Sequence, residues 1–301
     1  MNKNIDFSSK FRFANILSLV FFIISILFIF FKGLNYGIDF KGGTLIELRT
    51  TGNINIAEIR SSLNSMNLGD VNVKEFGKKN DYLIKVEQKT ENDNNLISKI
   101  KDKLVKNLNT EISFRRVENV GPKVSSELLE SGIIAISLSL AAMLFYIWIR
   151  FEWQFSIGAI MALFHDIIIT IGIFSILSLE INLSIIAAVL TIVGYSMNDT
   201  VVIYDRIREN LNKYNRLNIN ETSNLSINET LSRTIITSVT TLLALLSIYI
   251  VGGEILRGFS FAMILGVIIG TYSSIFVATP ILKFLNVSYK TLEKKEENIV
   301  P

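Results

Sequence analysis

Cysteine is absent from the 301-residue sequence, and histidine occurs once, at His165. Without thiols the chain cannot form disulfides or use thiol chemistry, although this absence does not indicate a compartment. The sequence shows no cluster of metal ligands, no paired nucleophile and base, and no phosphate loop with GxxxxGK[ST] spacing. It therefore predicts that the chain is not an enzyme and needs no metal or organic cofactor.

Charge is also scarce, because only 19% of the residues are Asp, Glu, Lys or Arg, and the formal net charge is +3. Lys and Arg are spread over the tails, the loops and one polar segment, so we expect no surface for nucleic acid. Half of the residues are hydrophobic. They form runs that are long enough to cross about 30 Å of hydrocarbon, which predicts an integral membrane protein.

Six apolar runs predict an α-helical polytopic membrane protein, and a polar segment separates the first run from the second. Alternation across the membrane places this segment and the loops "SLEINL" and "GGEILRG" on one side, with both termini on the other. The predicted parts are a tail (1–13), a first helix (14–31), an outer domain (32–131), a five-helix bundle within 132–282 (about 132–149, 155–177, 183–204, 235–251 and 259–282) and a tail (283–301).

The first apolar run, from Ala14 to Phe31, must be distinguished from a cleavable signal peptide. The hydrophobic region of a signal peptide has about 7–15 residues and ends in small residues. This run is longer and ends in "FIFFKG", so we expect an uncleaved membrane anchor.

The orientation follows from Lys and Arg in the short connections, which are enriched on the cytoplasmic side of membranes. The side that holds the termini carries most of these residues, including Arg206, Arg208 and Arg233, whereas the opposite short loops hold only Arg257. Both termini are therefore predicted to be cytoplasmic, and the outer domain is predicted to be periplasmic.

The outer domain shows strand and helix patterns in a definite order. Strand-like alternation occurs in "TLIELRT", "DVNVKEF", "DYLIKVEQ" and "EISFRRVENV", and helical spacing occurs in "IAEIRSSLNSM" and "NNLISKIKDKLVKNL". The order βαββαβ predicts a ferredoxin-like α+β domain, in which an antiparallel sheet carries two helices on one face. Such folds are interaction surfaces as often as enzymes, so we expect no catalysis there.

The fourth span carries Asn198 and Asp199 before its apolar residues have ended. An aspartate at the centre of a spanning helix costs roughly 2.5–3.5 kcal/mol on insertion scales, and less near an end. An intramembrane carboxylate is by default a functional residue, and its alternative is a structural residue that an arginine or a hydroxyl satisfies.

The fifth span carries Arg233, Thr237, Thr240 and Thr241 on one helix face, which must contact protein or a wet cavity. Arg233 and Asp199 have similar predicted depths at 1.5 Å per residue, so an ion pair is geometrically reasonable. We interpret the two residues as a proton relay, because a carboxylate whose surroundings change can take up a proton on one side and release it on the other.

Two further spans carry polar or small residues. His165 and Asp166 lie in the third span, with Asp166 near the predicted midplane. Together with Asn198 and Thr237, they are either further relay groups or residues that order the helices. Gly266 and Gly270 form a GxxxG in the sixth span, where small residues let helices approach closely. We interpret this stripe as packing and assign it no chemistry.

Long motifs occur in six segments: "YGIDFKGGTLIEL", "RRVENVGPKVSSELLESGIIA", "ALFHDIIITIGIFSIL", "VGYSMNDTVVIYDRIREN", "TLSRTIITSVTTLLALL" and "GFSFAMILGVIIGTYSSIFVATPIL". Together they resemble the SecF members of the SecD/SecF family of bacterial protein-export membrane proteins, over nearly the whole chain. The resemblance implies that Asp199 and Arg233 carry the proton pathway. The DFxGG signature of the family falls on Asp39, Phe40, Gly42 and Gly43.

This resemblance also implies partners and a location. SecF-like proteins pair with SecD in an assembly that is related to the resistance-nodulation-division (RND) transporters and uses the proton-motive force. The implied machinery comprises the SecYEG channel, YajC and SecA, with an unfolded preprotein as substrate, in the bacterial inner (plasma) membrane. Asp199 would lie where the SecD and SecF halves meet, close to an aspartate that SecD supplies.

Two other functions remain open at this stage. A half-size RND-type exporter of small molecules would share the six spans and the intramembrane carboxylates, although such exporters usually have larger outer domains. A scaffold that transports nothing would use its ionisable residues only to fix helix packing.

Overall fold

In the computed structural model, the described residues are 5–52, 54–66, 68, 71–75, 79–86, 96–108, 110–214 and 216–291. The chain forms two compact units. We call the first the membrane unit (Met1–Asn35, Ala135–Leu179 and Ser184–Pro301) and the second the sheet unit (Tyr36–Ile134 and Glu180–Leu183).

The helices and strands follow a simple order along the chain. The helices are α1 (Phe11–Phe31), α2 (Ile38–Lys41), α3 (Ile56–Asn64), α4 (Leu96–Leu108), α5 (Pro122–Arg150), α6 (Trp153–Ile176), α7 (Leu183–Lys213), α8 (Ile219–Val251), α9 (Gly253–Ser273) and α10 (Thr279–Phe284). The strands are β1 (Asn35–Tyr36), β2 (Gly43–Thr50), β3 (Val71–Glu75), β4 (Asp81–Val86), β5 (Ile112–Val120) and β6 (Glu180–Ile181).

Six helical segments are long and apolar enough to cross a membrane within the described part of the chain. The sixth of them, Leu256–Phe284, runs from α9 to α10 through a π-helical segment, Ser274–Ala278. The segments formed by α6, by α7 and by Leu256–Phe284 are the most buried, whereas α1, α5 and α8 are mostly uncovered. The helices that carry His165, Asp166 and Asp199 are therefore the centre of the membrane unit.

Aromatic residues fill the membrane unit near the end of α5. Phe151, Phe155 and Tyr204 pack against one another, with ring centroids 5.1–6.0 Å apart. The Tyr204 hydroxyl is fully buried and donates to the carbonyl of Ala278, 2.9 Å away. This contact joins α7 to the π-helical segment.

Three helices extend beyond the spans that hydropathy predicts. α5 begins at Pro122, α7 continues to Lys213 and α8 begins at Ile219. Most of the segment between residues 205 and 234, which is predicted to be a cytoplasmic connection, is helical. Hydropathy did not indicate this, because it marks the part of a helix that lies in hydrocarbon and not the ends of the helix. A capping box, in which Asn218 and Glu221 bond each other's backbone, fixes the start of α8.

The sheet unit contains a four-stranded antiparallel sheet with the order β3-β4-β2-β5 among its described residues. α3 connects β2 with β3, and α4 lies between β4 and β5 in sequence. One face of the sheet forms a core with both helices. The buried residues of this core include Ile46, Leu48, Tyr82 and Ile84 from the strands and Ile59, Leu63, Ile100 and Leu104 from the helices.

This order of strands and helices is the one that the alternation patterns predict. The predicted strand residues 70, 76 and 87–88 and the predicted helix residues 94–95 lie outside the described residues.

Candidate functional site

Asp166 lies at the centre of the membrane unit and is fully buried. Its carboxylate accepts hydrogen bonds from the hydroxyls of Ser196 on α7 and Ser273 on α9, with the latter at 2.8 Å. Nδ1 of His165 lies 2.9 Å from the other carboxylate oxygen. Asp166 thus joins three helices and has partners for both of its oxygens.

His165 is also buried, and its ring stacks on Phe22 of α1 with centroids 6.4 Å apart. Its Nδ1 faces Asp166, whereas Nε2 is buried and has no hydrogen-bond partner among the described atoms. The imidazole therefore extends the Asp166 cluster toward α1.

Asp199 has a different environment, although its exposed fraction is only 3%. Its carboxylate accepts one long hydrogen bond, from the hydroxyl of Thr271 on α9 at 3.4 Å. The Thr271 hydroxyl lies 2.8 Å from the hydroxyl of Ser238 on α8. Asp199, Thr271 and Ser238 form a chain of hydrogen bonds across three helices, which we call the hydroxyl chain.

The hydroxyl chain can serve a charged or a neutral Asp199. A hydroxyl has one proton, so Ser238 must donate to Thr271 when Thr271 donates to an ionised Asp199. A protonated Asp199 can donate to Thr271 instead, and Thr271 can then donate to Ser238. The geometry accommodates both protonation states of the carboxylate without moving a backbone atom.

Arg233 and Asp199 form no direct ion pair among the described residues. The Arg233 side chain is exposed, and within the described residues no ion pair of 4.0 Å or less joins it to Asp199. The face of α8 that packs against the rest of the membrane unit carries the buried residues Thr234, Ser238 and Leu245. The ion pair that equal depth suggests is absent here because depth alone does not determine the direction in which a side chain points.

Other polar residues of these spans also face away from the bundle. Asn198 and Thr240 are exposed, and Thr237 and Thr241 are half-buried. The threonine hydroxyls bond carbonyls of their own helix, as Thr237 does with Arg233 at 3.0 Å. The predicted polar stripe of α8 is therefore a surface of this chain.

Close packing of α9 on α7 brings the hydroxyl partners to the carboxylates. A Cβ atom at Gly266 would lie 2.2 Å from Cγ1 of Ile192, and one at Gly270 would lie 3.0 Å from Cβ of Ser196. The two glycines thus let α9 approach the turn of α7 that carries Ser196. The π-helical segment begins directly after Ser273, and such segments often occur at functional sites.

Sequence reasoning did not identify the hydroxyl residues of the site, Ser196, Thr271, Ser273 and Ser238. Serine and threonine are common in membrane helices, and a contact between two helices leaves no regular spacing in the sequence. The π-helical segment also changes which residues of the last span share one helix face. It has no recognisable sequence signal.

The DFxGG residues lie in the sheet unit. Oδ2 of Asp39 accepts the backbone N–H of Leu183, the first residue of α7, at 2.9 Å, and Phe40 is buried. Gly42 and Gly43 have positive φ angles of 78° and 133°, which residues with a side chain rarely adopt. The motif thus fixes the start of β2 and the start of α7.

One lysine of the sheet unit has a shifted pKa. Lys85 on β4 forms an ion pair with Glu180 on β6. Burial, with a smaller effect from the charge of Lys74, lowers the pKa of Lys85 to about 8. Lys85 is therefore a partly buried cation that Glu180 partners at β6.

No group of three or more His, Asp or Glu side chains suited to a metal ion occurs among the described residues. The fold and the site define a polytopic membrane protein that holds ionisable residues and hydroxyls inside a helical bundle.

The comparisons assign this protein to a family. Residues 100–288 match the C-terminal region of the protein export membrane proteins SecD/SecF, and residues 27–53 match the SecD/SecF GG motif. The chain is 47% identical over 279 residues to the protein translocase subunit SecF of Rickettsia bellii, with 92% of each chain covered. It is 41% identical over 295 residues to SecF of Vibrio alginolyticus, covering 96% of this chain and 92% of the relative. The chain belongs to the SecD/SecF family of protein export membrane proteins.

Solved structures of SecDF have the same fold. The crystal structure of the translocon-associated membrane protein SecDF from Thermus thermophilus has a TM-score of 0.85 and 34% identity, covering 94% of this chain and 39% of that chain. SecDF in a super-membrane-facing form has a TM-score of 0.71 and 33% identity, covering 99% of this chain and 40% of that chain. The chain thus spans about two fifths of the length of the SecDF chains that it matches.

Proposed function

We propose that the protein is an accessory subunit of the Sec protein translocase, which acts with SecD and uses the proton-motive force to promote the later stages of preprotein export. The names of its relatives, which are protein translocase subunits, support this function. This chain covers about two fifths of the SecDF chains, which supports a SecD-like partner that corresponds to the remaining part. SecYEG, YajC and SecA are the associated machinery in this proposal.

The observation that carries the proposal is the environment of Asp199. A buried carboxylate in a membrane helix normally has a charged partner or several hydrogen bonds, because burial of an unpaired charge is costly. Asp166 has such bonds, whereas Asp199 has one at 3.4 Å and no cation within 4.0 Å among the described side chains. Asp199 is therefore the group whose charge a small movement of helices changes most easily.

The exposed side of α8 supports a partner in the membrane. Arg233 and Thr240 lie on a surface of this chain, and a charged or polar surface at membrane depth requires protein or water. A SecD subunit that covers this face supplies such contacts and brings its own groups toward Arg233 and Asp199. The site is then completed only in the pair.

We also propose that the sheet unit is a ferredoxin-like domain on the periplasmic side of the inner membrane. Its element order and its strand order β3-β4-β2-β5 support the first part. The excess of Lys and Arg in the connections on the side of the termini supports the periplasmic location of the sheet unit. Both termini are then cytoplasmic, and the sheet unit faces the exported preprotein. The role is mechanical, without catalysis of a chemical reaction.

The proposed mechanism begins when Asp199 takes up a proton from the periplasmic side. The hydroxyl chain reverses its donors, and Asp199 loses its negative charge. The helices shift to a second arrangement, in which the proton is released to the cytoplasm. The movement of α7 changes the position of the sheet unit, which acts on the preprotein.

The test is preprotein export into inverted membrane vesicles, with and without a proton gradient, at equal levels of the protein and of SecD. We expect Asp199→Asn to abolish the part of export that depends on the gradient, because asparagine cannot exchange a proton. Asp205→Asn is the matched control. Asp205 lies later on α7, is 40% exposed and pairs with Arg150, so its substitution should leave export unchanged.

Full gradient-dependent export with Asp199→Asn would contradict the proposal. Normal protein export together with altered drug sensitivity in a deletion strain would instead indicate the exporter of small molecules.

A further inference from the structure

The segment Glu180–Leu183 follows α6 in sequence, ends at the first residue of α7 and belongs to the sheet unit. The same unit contains Gly37–Gly43, which leads into β2 and includes the DFxGG residues. We call these two segments together the junction. Their bonds give the family signature a role that the proposed function alone does not explain.

The two segments of the junction are held together by backbone and side-chain bonds. The N–H of Gly37 donates to the carbonyl of Ile181 at 2.8 Å, and the N–H of Leu183 donates to Asp39 Oδ2 at 2.9 Å. The ion pair between Lys85 and Glu180 adds a connection from β4. The start of α7 is thus bonded to the sheet unit at successive points.

Asp39 has a specific effect on α7. The first N–H groups of a helix have no partner inside the helix, and the N-terminus carries a partial positive charge. The carboxylate of Asp39 satisfies the N–H of the first residue and lies at this positive end. It caps α7 from a different segment of the chain.

Gly42 and Gly43 pack closely at the other end of the segment Gly37–Gly43. A Cβ atom at Gly42 would lie 3.2 Å from Oγ of Ser125 in the first turns of α5 and 3.3 Å from the carbonyl oxygen of Val120 in β5. Gly43 is paired with Val120 in the sheet. A short turn, with hydrogen bonds from Phe40 and Gly42 back to Gly37 and Ile38, connects these glycines to Asp39.

We propose that the junction transmits the movement of α7 to the sheet unit, and that Asp39 is the positioning residue of this transmission. The inference rests on the proposed function, since it requires that Asp199 drives α7. α7 is continuous from Leu183 to Lys213, so Asp199 lies on the same helix as the bond to Asp39, about 24 Å away at 1.5 Å per residue. A displacement of α7 pulls on Asp39, and the hydrogen-bonded turn passes the displacement to β2.

The first readout of the test is gradient-dependent export of a preprotein. It compares Asp39→Ala with Asp39→Asn at equal membrane levels of the protein and with SecD bound. Alanine removes the acceptor for the N–H of Leu183, whereas asparagine keeps a side-chain oxygen. We expect about a fivefold loss of gradient-dependent export in Asp39→Ala, which corresponds to the typical cost of about 1 kcal/mol for a lost cap. Asp39→Asn should retain most of it. Lys41→Ala is the control, because Lys41 is exposed on the same turn.

The second readout follows the sheet unit directly. The chain contains no cysteine, so spin labels can be placed at Arg60→Cys on α3 and Val251→Cys at the end of α8, both exposed positions. We expect Asp199→Asn to change the distance distribution between the labels. In the Asp39→Ala chain the same substitution should leave the distribution unchanged, while protease resistance shows that the sheet unit remains folded.

The possible results separate the two proposals. A change in the distance distribution on Asp199→Asn that persists at full size in Asp39→Ala would overturn the inference and leave the proposed function intact. Equal losses in Asp39→Ala and Asp39→Asn would also overturn it, because the acceptor oxygen would then be irrelevant. No effect of Asp199→Asn on either readout would remove the proposed function, and the inference with it.

Discussion

At the scale of single residues, Asp166 and Asp199 differ in how completely hydrogen bonds satisfy them. Asp166 accepts from Ser196 and Ser273 and contacts His165, which accounts for both of its oxygens. Among the described residues, Asp199 has only the 3.4 Å bond from Thr271. We therefore propose that Asp166 orders the helices and that Asp199 exchanges protons.

The substitution Asp166→Ala tests the first assignment. It leaves the buried hydroxyl of Ser196 without its acceptor, whereas the Ser273 hydroxyl keeps a bond to the Gly270 carbonyl at 3.1 Å. A buried polar group left unsatisfied costs about 1–3 kcal/mol. We expect a lower midpoint of thermal unfolding in detergent, with a smaller decrease in Asp166→Asn, which keeps an acceptor oxygen. An unchanged midpoint together with lost gradient-dependent export would instead make Asp166 a relay group.

The site residues that the sequence predicts are those whose placement in a membrane helix has an unusual cost in free energy. Asp166 and Asp199 stand out because a carboxylate in an apolar helix requires an explanation, and both are buried in the bundle. The direction of Arg233 was not predictable, because it depends on which side of α8 packs on α9. The serine and threonine partners were not predictable, since they become distinctive only once the helices are assembled.

At the scale of helices and strands, the packing of α9 on α7 positions the site. Gly266 contacts Ile192, whose β-branched side chain is buried and has few alternative rotamers. The backbones of the two helices can approach closely only because the glycine has no Cβ. This contact sets the position of Thr271 and Ser273 relative to α7.

The substitution Gly266→Ala should therefore destabilise the membrane unit by about 1–3 kcal/mol, the usual cost of overpacking. The measurement is thermal unfolding of the purified protein in detergent. Gly194→Ala on α7 is the matched control, because a Cβ atom there would meet no atom within 4 Å. Equal stability of the two variants would show that the close approach is not needed.

Helix and strand identities were predictable at this scale, whereas helix ends were not. Alternation in "TLIELRT" and "DYLIKVEQ" corresponds to the paired strands β2 and β4. The end of α7 at Lys213 was missed because the polar residues after Tyr204 reduce the hydropathy without ending the helix. Buried Ile207 and Leu211 continue its apolar face there.

At the scale of the whole molecule, we propose one path from the carboxylate to the sheet unit. In this proposal Asp199 senses the proton, α7 carries the displacement, and Asp39 receives it through its bond to the first residue of α7. Two residues that act on one path should not have additive effects, whereas independent residues should. This difference distinguishes the account from one in which Asp39 only stabilises the fold.

The most direct measurement is total preprotein export in the presence of a proton gradient, in four chains: the wild type, Asp199→Asn, Asp39→Ala and the double variant, each at the same membrane level with SecD bound. The account predicts that the double variant exports no worse than Asp199→Asn alone, because the path is already interrupted. A further loss in the double variant, equal to that of Asp39→Ala in the wild-type chain, would contradict it.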